Sequence, residues 1–140
     1  MEIVRTYSKK DKEKVLVLWK SCGLTRSWNN PILDIDRKSK IDKDLFLVLE
    51  RDEEIIASIM IGYDGHRGVI NYLAVDYKFR RQGIGKRLVK LAERKLKERG
   101  CPKINLLVRD TNIEVGQFYE KLGFNRQDDV VIFGKRLIAD

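Results

Sequence analysis

Between residues 45 and 76 the chain carries three apolar runs, LFLVLE, EIIASIMIGY and VINYLAVD, separated only by the short turns RDEE and DGHRG. Runs of this length rich in Ile, Val, Leu and Tyr read as strands. Connections this short join antiparallel neighbours, so the three strands form a meander. The next segment cannot continue it. RRQGIGKRL (80–88) leads into a stretch whose Ile84, Leu88, Leu91, Ala92 and Leu96 recur at helical spacing, closed by Gly100 with Pro102 just beyond. The apolar run KINLLVR is then a buried strand reached through a helix, which makes it parallel to the strand before.

The flanks fill in around this centre. IVRTY suits a short first strand, and Ser8 can cap a helix carrying Val15, Leu18, Trp19 and Cys22 on one face, ending at Gly23. Asn30 followed by Pro31 starts a second helix, running through DIDRKSKID. Thr111 and Glu114 form a capping box for a helix over IEVGQFYEKLG, and FNRQDDVVIFGKRLI ends the chain as one or two strands. The expected fold is α/β (α+β): a mixed, mostly antiparallel sheet of six to seven strands flanked by about four helices. No linker, repeat or low-complexity segment interrupts it, so residues 1–140 are expected to form a single domain.

No apolar run approaches the roughly 20 residues of a membrane span. The start, MEIVRTYSKKDKEK, lacks the apolar block of a signal peptide. Cys22 and Cys101 are far apart and form no C-x-x-C, and His66 is the one histidine, so neither disulfide nor metal site is expected. The expectation is a reduced, cytoplasmic setting with no membrane partner.

The formal charge of +8 is unevenly spread. Residues 80–99 hold nine Lys/Arg against Glu93 and Glu98, a local +7 that leaves +1 for the other 120 residues. Gly83 and Gly85 sit inside that cluster, at the junction of strand and helix. Glycine lets a ligand approach backbone N–H groups, a helix start adds unpaired donors, and Arg80, Arg81, Lys86 and Arg87 surround them. The junction reads as an anion site, most simply for phosphate. It is not a Walker A loop, because Gly85-Lys86 is followed by Arg87 and the glycine spacing is absent. A dinucleotide fingerprint would need a third glycine where Leu88 stands.

The pattern [QR]-x-x-G-x-[GA], read from Arg80 through Gly85, resembles the acetyl-CoA loop of the GNAT N-acetyltransferase superfamily. A second match lies downstream, where Asn112 and then FYEKLGF (118–124) are similar to the helix motif of the same superfamily. In the front half, SWNNPILDIDRK and GYDGHRG look like the small bacterial YpeA-type members.

The resemblance implies acetyl-CoA as cosubstrate, with no metal, and acetyl transfer to a primary amine of a small molecule or protein. It implies that the backbone N–H groups from Gln82 through Gly83, Ile84 and Gly85 to Lys86 cradle the pyrophosphate. Arg80, Arg81, Lys86 and Arg87 would serve the phosphates or steer the ligand electrostatically, while Leu73, Ala74 and Val75 pair with the pantetheine arm where the fourth and fifth strands splay. An N–H near Leu73 would polarise the thioester carbonyl. Tyr119 matches the family's acid position, against a plain packing role; Asn112 is either a helix cap or a contact to the cofactor. On the acceptor side Trp28, Asn29, Asp34, Asp64, His66 and Tyr72 are candidates, and the general base stays open among Asp64, His66, Tyr72 and Asp76. Two other readings compete: a coenzyme A-binding sensor without catalysis, and a basic nucleic-acid or ribosome-associated module. The second is disfavoured, since residues 80–99 contain no aromatic for base stacking. Monomer and homodimer are both compatible with the sequence.

Overall fold

In the computed structural model, which describes residues 1–140, the chain falls into two compact units, Met1–Leu106 and Leu107–Asp140. The first is built on an antiparallel sheet. Strand β1 (Glu2–Thr6) pairs with β2 (Phe46–Arg51), β2 with β3 (Glu54–Tyr63), and β3 with β4 (Gly68–Val75), in the order β1-β2-β3-β4. The β2–β3 hairpin closes on Asp52 and Glu53, whose φ values of 50° and 68° are those of a two-residue turn matched to the twist of its strands.

Helix α1 (Lys12–Ser21) comes after a single 3₁₀ turn started by Ser8, whose N–H donates to Asp11 Oδ2 at 2.9 Å. Helix α2 (Pro31–Lys38) is capped by Asn30, whose side chain accepts from the Leu33 N–H. It is shorter than expected, stopping at the start of the polar run SKID. Val15, Leu18 and Trp19 of α1 and Ile35 of α2 form one core cluster with Phe46, Val48, Met60 and Ala74 of the sheet. β3 is buried at every residue from Ile55 to Ile61, so both faces of the sheet are covered. Helix α3 (Ile84–Glu98) buries Ile84, Leu88, Val89, Ala92 and Leu96. It packs so closely on β4 that a Cβ at Gly68 would lie 2.8 Å from Leu96 Cδ1 and 3.0 Å from Cys101 Sγ. Glycine is required there by space.

The second unit contains helix α4 (Ile113–Lys121), with Tyr119 edge-on to both Phe118 and Phe124 at 5.0 and 5.3 Å. Its cap is Asn112, whose side chain accepts from the Val115 N–H, rather than the Thr111 expected from the capping-box pattern.

The mixed α/β class and the four helices are as expected; the strand count is not. The sheet has four strands, not six to seven. KINLLVR contributes one parallel bridge, Gly68 to Ile104, and the C-terminal run contributes no strand. The physical reason is that strand propensity measures fit to a half-buried pleated surface beside a partner. Val130, Val131, Ile132 and Phe133 have suitable side chains, but each is at least 66% exposed and none has a ladder to join.

Candidate active site

The end of β4 is where the sequence motifs meet the fold. On its outer edge β4 bonds only at Gly68, whose N–H donates to Lys103 O (2.8 Å) and whose carbonyl accepts from the Asn105 N–H (2.9 Å). Beyond that bridge the edge is unpaired as far as Val75. Leu73, Ala74 and Val75 therefore lie on a strand edge open to an extended ligand, although the Val75 carbonyl already accepts from Arg80 Nε and Cys22 Sγ.

After β4 a short 3₁₀ turn, capped by Asp76, leads to the glycine loop. Arg81 and Gly83 both take left-handed conformations, φ 64° and 78°. Gly83 is the N-cap of α3, and the first internal bond is Arg87 N–H to Gly83 O, 3.0 Å. The amides of Arg81, Gln82, Gly83, Ile84, Gly85 and Lys86 thus have no protein acceptor. A Cβ placed on Gly83 would meet nothing within 4 Å, so space lies over these donors. Consecutive free N–H groups at the positive end of a 15-residue helix make a concavity suited to a phosphate.

The basic side chains around it are not equivalent. Arg80 turns back, its Nε donating to Val75 O at 2.9 Å and its guanidinium lying 3.7 Å over the Tyr77 ring. Arg87 is ion-paired with Glu2. Arg81 and Lys86 have no side-chain partner, so their charge is open to a ligand at the loop. The fold adds a cation that the sequence does not flag. Arg51, at the end of β2, reaches Gln82 Oε1 at 3.4 Å, lies 5.0 Å over the Phe79 ring and pairs with Glu2. Hydrogen bonds from Arg87, then Arg51, hold the Glu2 carboxyl below the usual carboxylate range. Nothing local marks Arg51 or Glu2, since each lies at least 29 residues from the loop.

On the opposite side of β4, toward α1 and α2, three of the predicted acceptor-side residues are brought together. The register of β4 against β3 shifts between Ser58 and Met60, and Tyr72 sits in the resulting bulge with φ 50°. Its ring stacks on Trp19, centroids 3.8 Å apart. Its hydroxyl donates to Asp34 Oδ2 at 2.5 Å and accepts from Asn29 Nδ2 at 2.5 Å. The bulge is latched below by buried Ser58, which accepts from Trp19 Nε1 (2.8 Å) and donates to Tyr72 O (2.9 Å). Trp19 and Ser58 read in the sequence only as core positions. Trp28 stands half-exposed beside Arg26. Asp64 and His66 are elsewhere: Asp64 Oδ1 accepts from the His66 and Arg67 N–H groups in the β3–β4 turn, at the other end of β4 from the loop.

Tyr119, in the second unit, is buried, and burial pushes its hydroxyl up to about 12. No protein group accepts its proton. Asn112 serves as the α4 cap, the first of its two expected roles. No group of three His, Cys, Asp or Glu side chains is placed to hold a metal ion, and no helix is long and apolar enough to cross a membrane.

An unpaired strand edge running into a cradle of free amides marks an α/β protein with donors and room for an extended, anionic ligand at the end of a sheet. The comparisons with known proteins give that class its family. The profile of the Acetyltransferase (GNAT) family matches residues 13–124. A Sodalis glossinidius protein named acetyltransferase is 50% identical over 137 residues, 98% of this chain and 96% of its own length. A Yersinia enterocolitica acetyltransferase is 47% identical over the same shares. Among solved structures, Ard1 from Thermoplasma volcanium superposes with a TM-score of 0.76 at 29% identity, covering 89% of this chain and 82% of that one. The PaiA N-acetyltransferase of Thermoplasma acidophilum, solved with coenzyme A, shares the fold at TM-score 0.77 and 22% identity, covering 93% of each chain. The chain belongs to the GNAT acetyltransferase family, and is an N-acetyltransferase that draws its acetyl group from acetyl-CoA.

Proposed function

We propose that this N-acetyltransferase binds acetyl-CoA with its pyrophosphate on the free amides of Gln82 to Lys86 and its pantetheine arm along the unpaired edge at Leu73, Ala74 and Val75. The observation that carries this is the run of six unpartnered N–H groups at the α3 start, with open space over Gly83. The residues present fit the cosubstrate: each charge-assisted bond to a phosphate oxygen contributes about 1.5–3 kcal/mol. Arg81 and Lys86 carry the uncommitted charge for the phosphates, and Arg80 and Arg87 add to the local field. Acetyl-CoA supplies the activated thioester when bound.

Transfer is direct, from thioester to amine. The Leu73 N–H, beside the bulge, polarises the thioester carbonyl, and the Tyr119 hydroxyl protonates the departing thiolate. A phenol held near 12 keeps its proton throughout the physiological range and gives it up only to a strong base such as a nascent thiolate. The acceptor is a primary amine of a small molecule or a protein, met on the side bearing Trp28, Asn29, Asp34 and Tyr72. Asp64 and His66 stand apart from this cluster, in the β3–β4 turn, where Asp64 caps the turn N–H groups. Residues 1–140 act as one N-acetyltransferase domain, since the family match runs through both units. The protein works in the cytoplasm, as a monomer or homodimer.

Calorimetry with coenzyme A tests the cradle. Gly85→Val adds bulk at the amides without changing charge, and binding is expected to be lost while circular dichroism stays unchanged. Undiminished affinity in the folded variant refutes the placement.

A further inference from the structure

Tyr72 is held in a conformation that a bulky residue adopts only under constraint, φ 50° inside a strand. The constraint places its hydroxyl between two polar side chains from a different part of the chain. The hydrogen-bond direction is set by the atoms available: Asn29 Nδ2–H donates to Tyr72 Oη, and Tyr72 Oη–H donates to Asp34 Oδ2. This leaves Asn29 Oδ1 buried with no hydrogen-bond partner. A buried acceptor without a donor costs about 1–3 kcal/mol, so such atoms in native proteins call for an explanation. Here the orphan acceptor belongs to the amide whose nitrogen meets a phenol oxygen that a carboxylate backs.

We infer that Asn29 Oδ1 and Tyr72 Oη form the ammonium-binding site for the acceptor, and that Asp34 is the final proton acceptor, reached through Tyr72. The inference rests on the acetyltransferase reading and assigns the group that reading leaves open. An ammonium has only donors to offer. Asn29 Oδ1 is an acceptor lacking a donor, and the phenol oxygen next to it accepts as well as donates.

In the reaction, an N–H bond of the ammonium breaks and its proton passes to Tyr72 Oη. The proton that Tyr72 held passes to Asp34 Oδ2. The N–H bonding pair stays on nitrogen as the lone pair that attacks the thioester carbonyl, and the C–S bond breaks with its electrons on sulfur. The nitrogen sheds one further proton as the adduct collapses, which balances the one the thiolate takes up. Asp34 then returns its proton to solvent, which its partly exposed carboxylate reaches (26%).

Tyr72 and Asn29 touch the substrate in this arrangement, while Asp34 acts through Tyr72. The charged and titratable groups packed around the relay are Arg37, whose Nη1 is 3.3 Å from Asp34 Oδ1 on the same helix, Cys22 at the end of α1, whose Sγ lies 3.5 Å from Val75 O, and Tyr7, packed against the same core cluster.

A plain lid-locking role for the Tyr72–Asp34 bond makes a different prediction about pH. With the relay intact, ammonium and carboxylate react together, and kcat/KM for total amine is level over about pH 6 to 8, well below an alkylamine's ordinary pKa. Asp34→Asn keeps an acceptor for the Tyr72 hydroxyl but cannot take a proton. Only the free amine then reacts, and kcat/KM rises tenfold per pH unit over the same range. Tyr72→Phe keeps the ring on Trp19 and is expected to behave likewise, with a loss of roughly 10²-fold at neutral pH.

The probes are n-butylamine, benzylamine and ethanolamine at saturating acetyl-CoA, monitored by thiol release, with acetyl-CoA affinity measured separately by calorimetry. A level wild-type profile that becomes sloped in both variants, with cosubstrate affinity retained, supports the relay. A sloped wild-type profile, level profiles in the variants, or a wild type that binds acetyl-CoA yet acetylates none of the three amines overturns it. Failure of the wild type to bind acetyl-CoA at all overturns the underlying acetyltransferase reading instead.

Discussion

At the scale of single residues, the chemistry depends on where protons sit. Tyr119 illustrates this, since its ring packs between Phe118 and Phe124 while its hydroxyl has no protein partner. Tyr119→Phe removes only the hydroxyl. The expected result is a fall in kcat of roughly 10²-fold with acetyl-CoA affinity nearly level. The loss should shrink with a thioester whose thiol is more acidic, because a better leaving group needs less protonation. Steady-state kinetics on two such donors decides it, and full activity in the variant would leave Tyr119 as packing. A second residue, Asp11, works for stability. Burial raises its carboxyl, but the Arg5 guanidinium at 2.8 Å on both oxygens and the Ser8 N–H outweigh that and hold it below the usual range. A depressed carboxyl stabilises the fold above its unfolded-state pKa, about 4, and that stability is lost as pH falls through the folded-state value. Asp11→Asn is expected to cost about 2–3 kcal/mol at neutral pH, less than breaking a fully buried pair because Arg5 keeps Glu50. Urea unfolding at several pH values should show a flatter acid limb in the variant.

The elements are where identical residues acquire opposite meanings. Gly68 begins β4 against α3, with no room for a methyl group, and Gly68→Ala should destabilise by about 1–3 kcal/mol through overpacking. Gly116 lies mid-way along α4 with nothing within 4 Å of a Cβ, so Gly116→Ala should stabilise by about 0.5–1 kcal/mol through helix propensity alone. Denaturant midpoints of the two variants should move in opposite directions, and a shared sign would contradict the packing at Gly68 or the open space at Gly116. Strand β4 is the element that organises the site. Its inner edge is laddered to β3, its outer edge is free beyond Gly68, and its bulge turns Tyr72 toward α1 and α2.

For the whole molecule, the charge that the sequence concentrates in residues 80–99 is partly taken up by internal ion pairs. Arg87 meets Glu2, Lys90 meets Glu93, and Arg99 meets Asp42 and Asp44. What remains uncommitted near the loop is Arg81 and Lys86, together with the free amides. Coenzyme A affinity should therefore fall with added salt, and more steeply than affinity for a pantetheine fragment lacking the phosphates. Titration calorimetry at several ionic strengths measures both. Equal slopes would assign the basic cluster to some other partner and return weight to nucleic acid.

The sequence by itself determined the meander, because strand-length apolar runs joined by tight turns have few other ways to bury both faces. It determined helices α1 and α3 from the spacing of their apolar residues, α2 and α4 from the start signals at Asn30-Pro31 and Thr111–Glu114, and the glycine loop that opens α3 from two glycines at a strand end. These are local properties, carried by neighbours a few residues apart. The sequence overstated the sheet, since KINLLVR and VVIF have the side chains of strands but a strand exists only beside a partner. Only the tertiary structure decided which basic residues are free, because Arg51 and Glu2 approach the loop from other strands. It alone joined Asn29, Asp34 and Tyr72, 43 residues apart at the extremes, through a bulge that no run of sequence marks. A hydrogen bond depends on distance in space, and a one-residue shift in strand register decides which side chains come within reach.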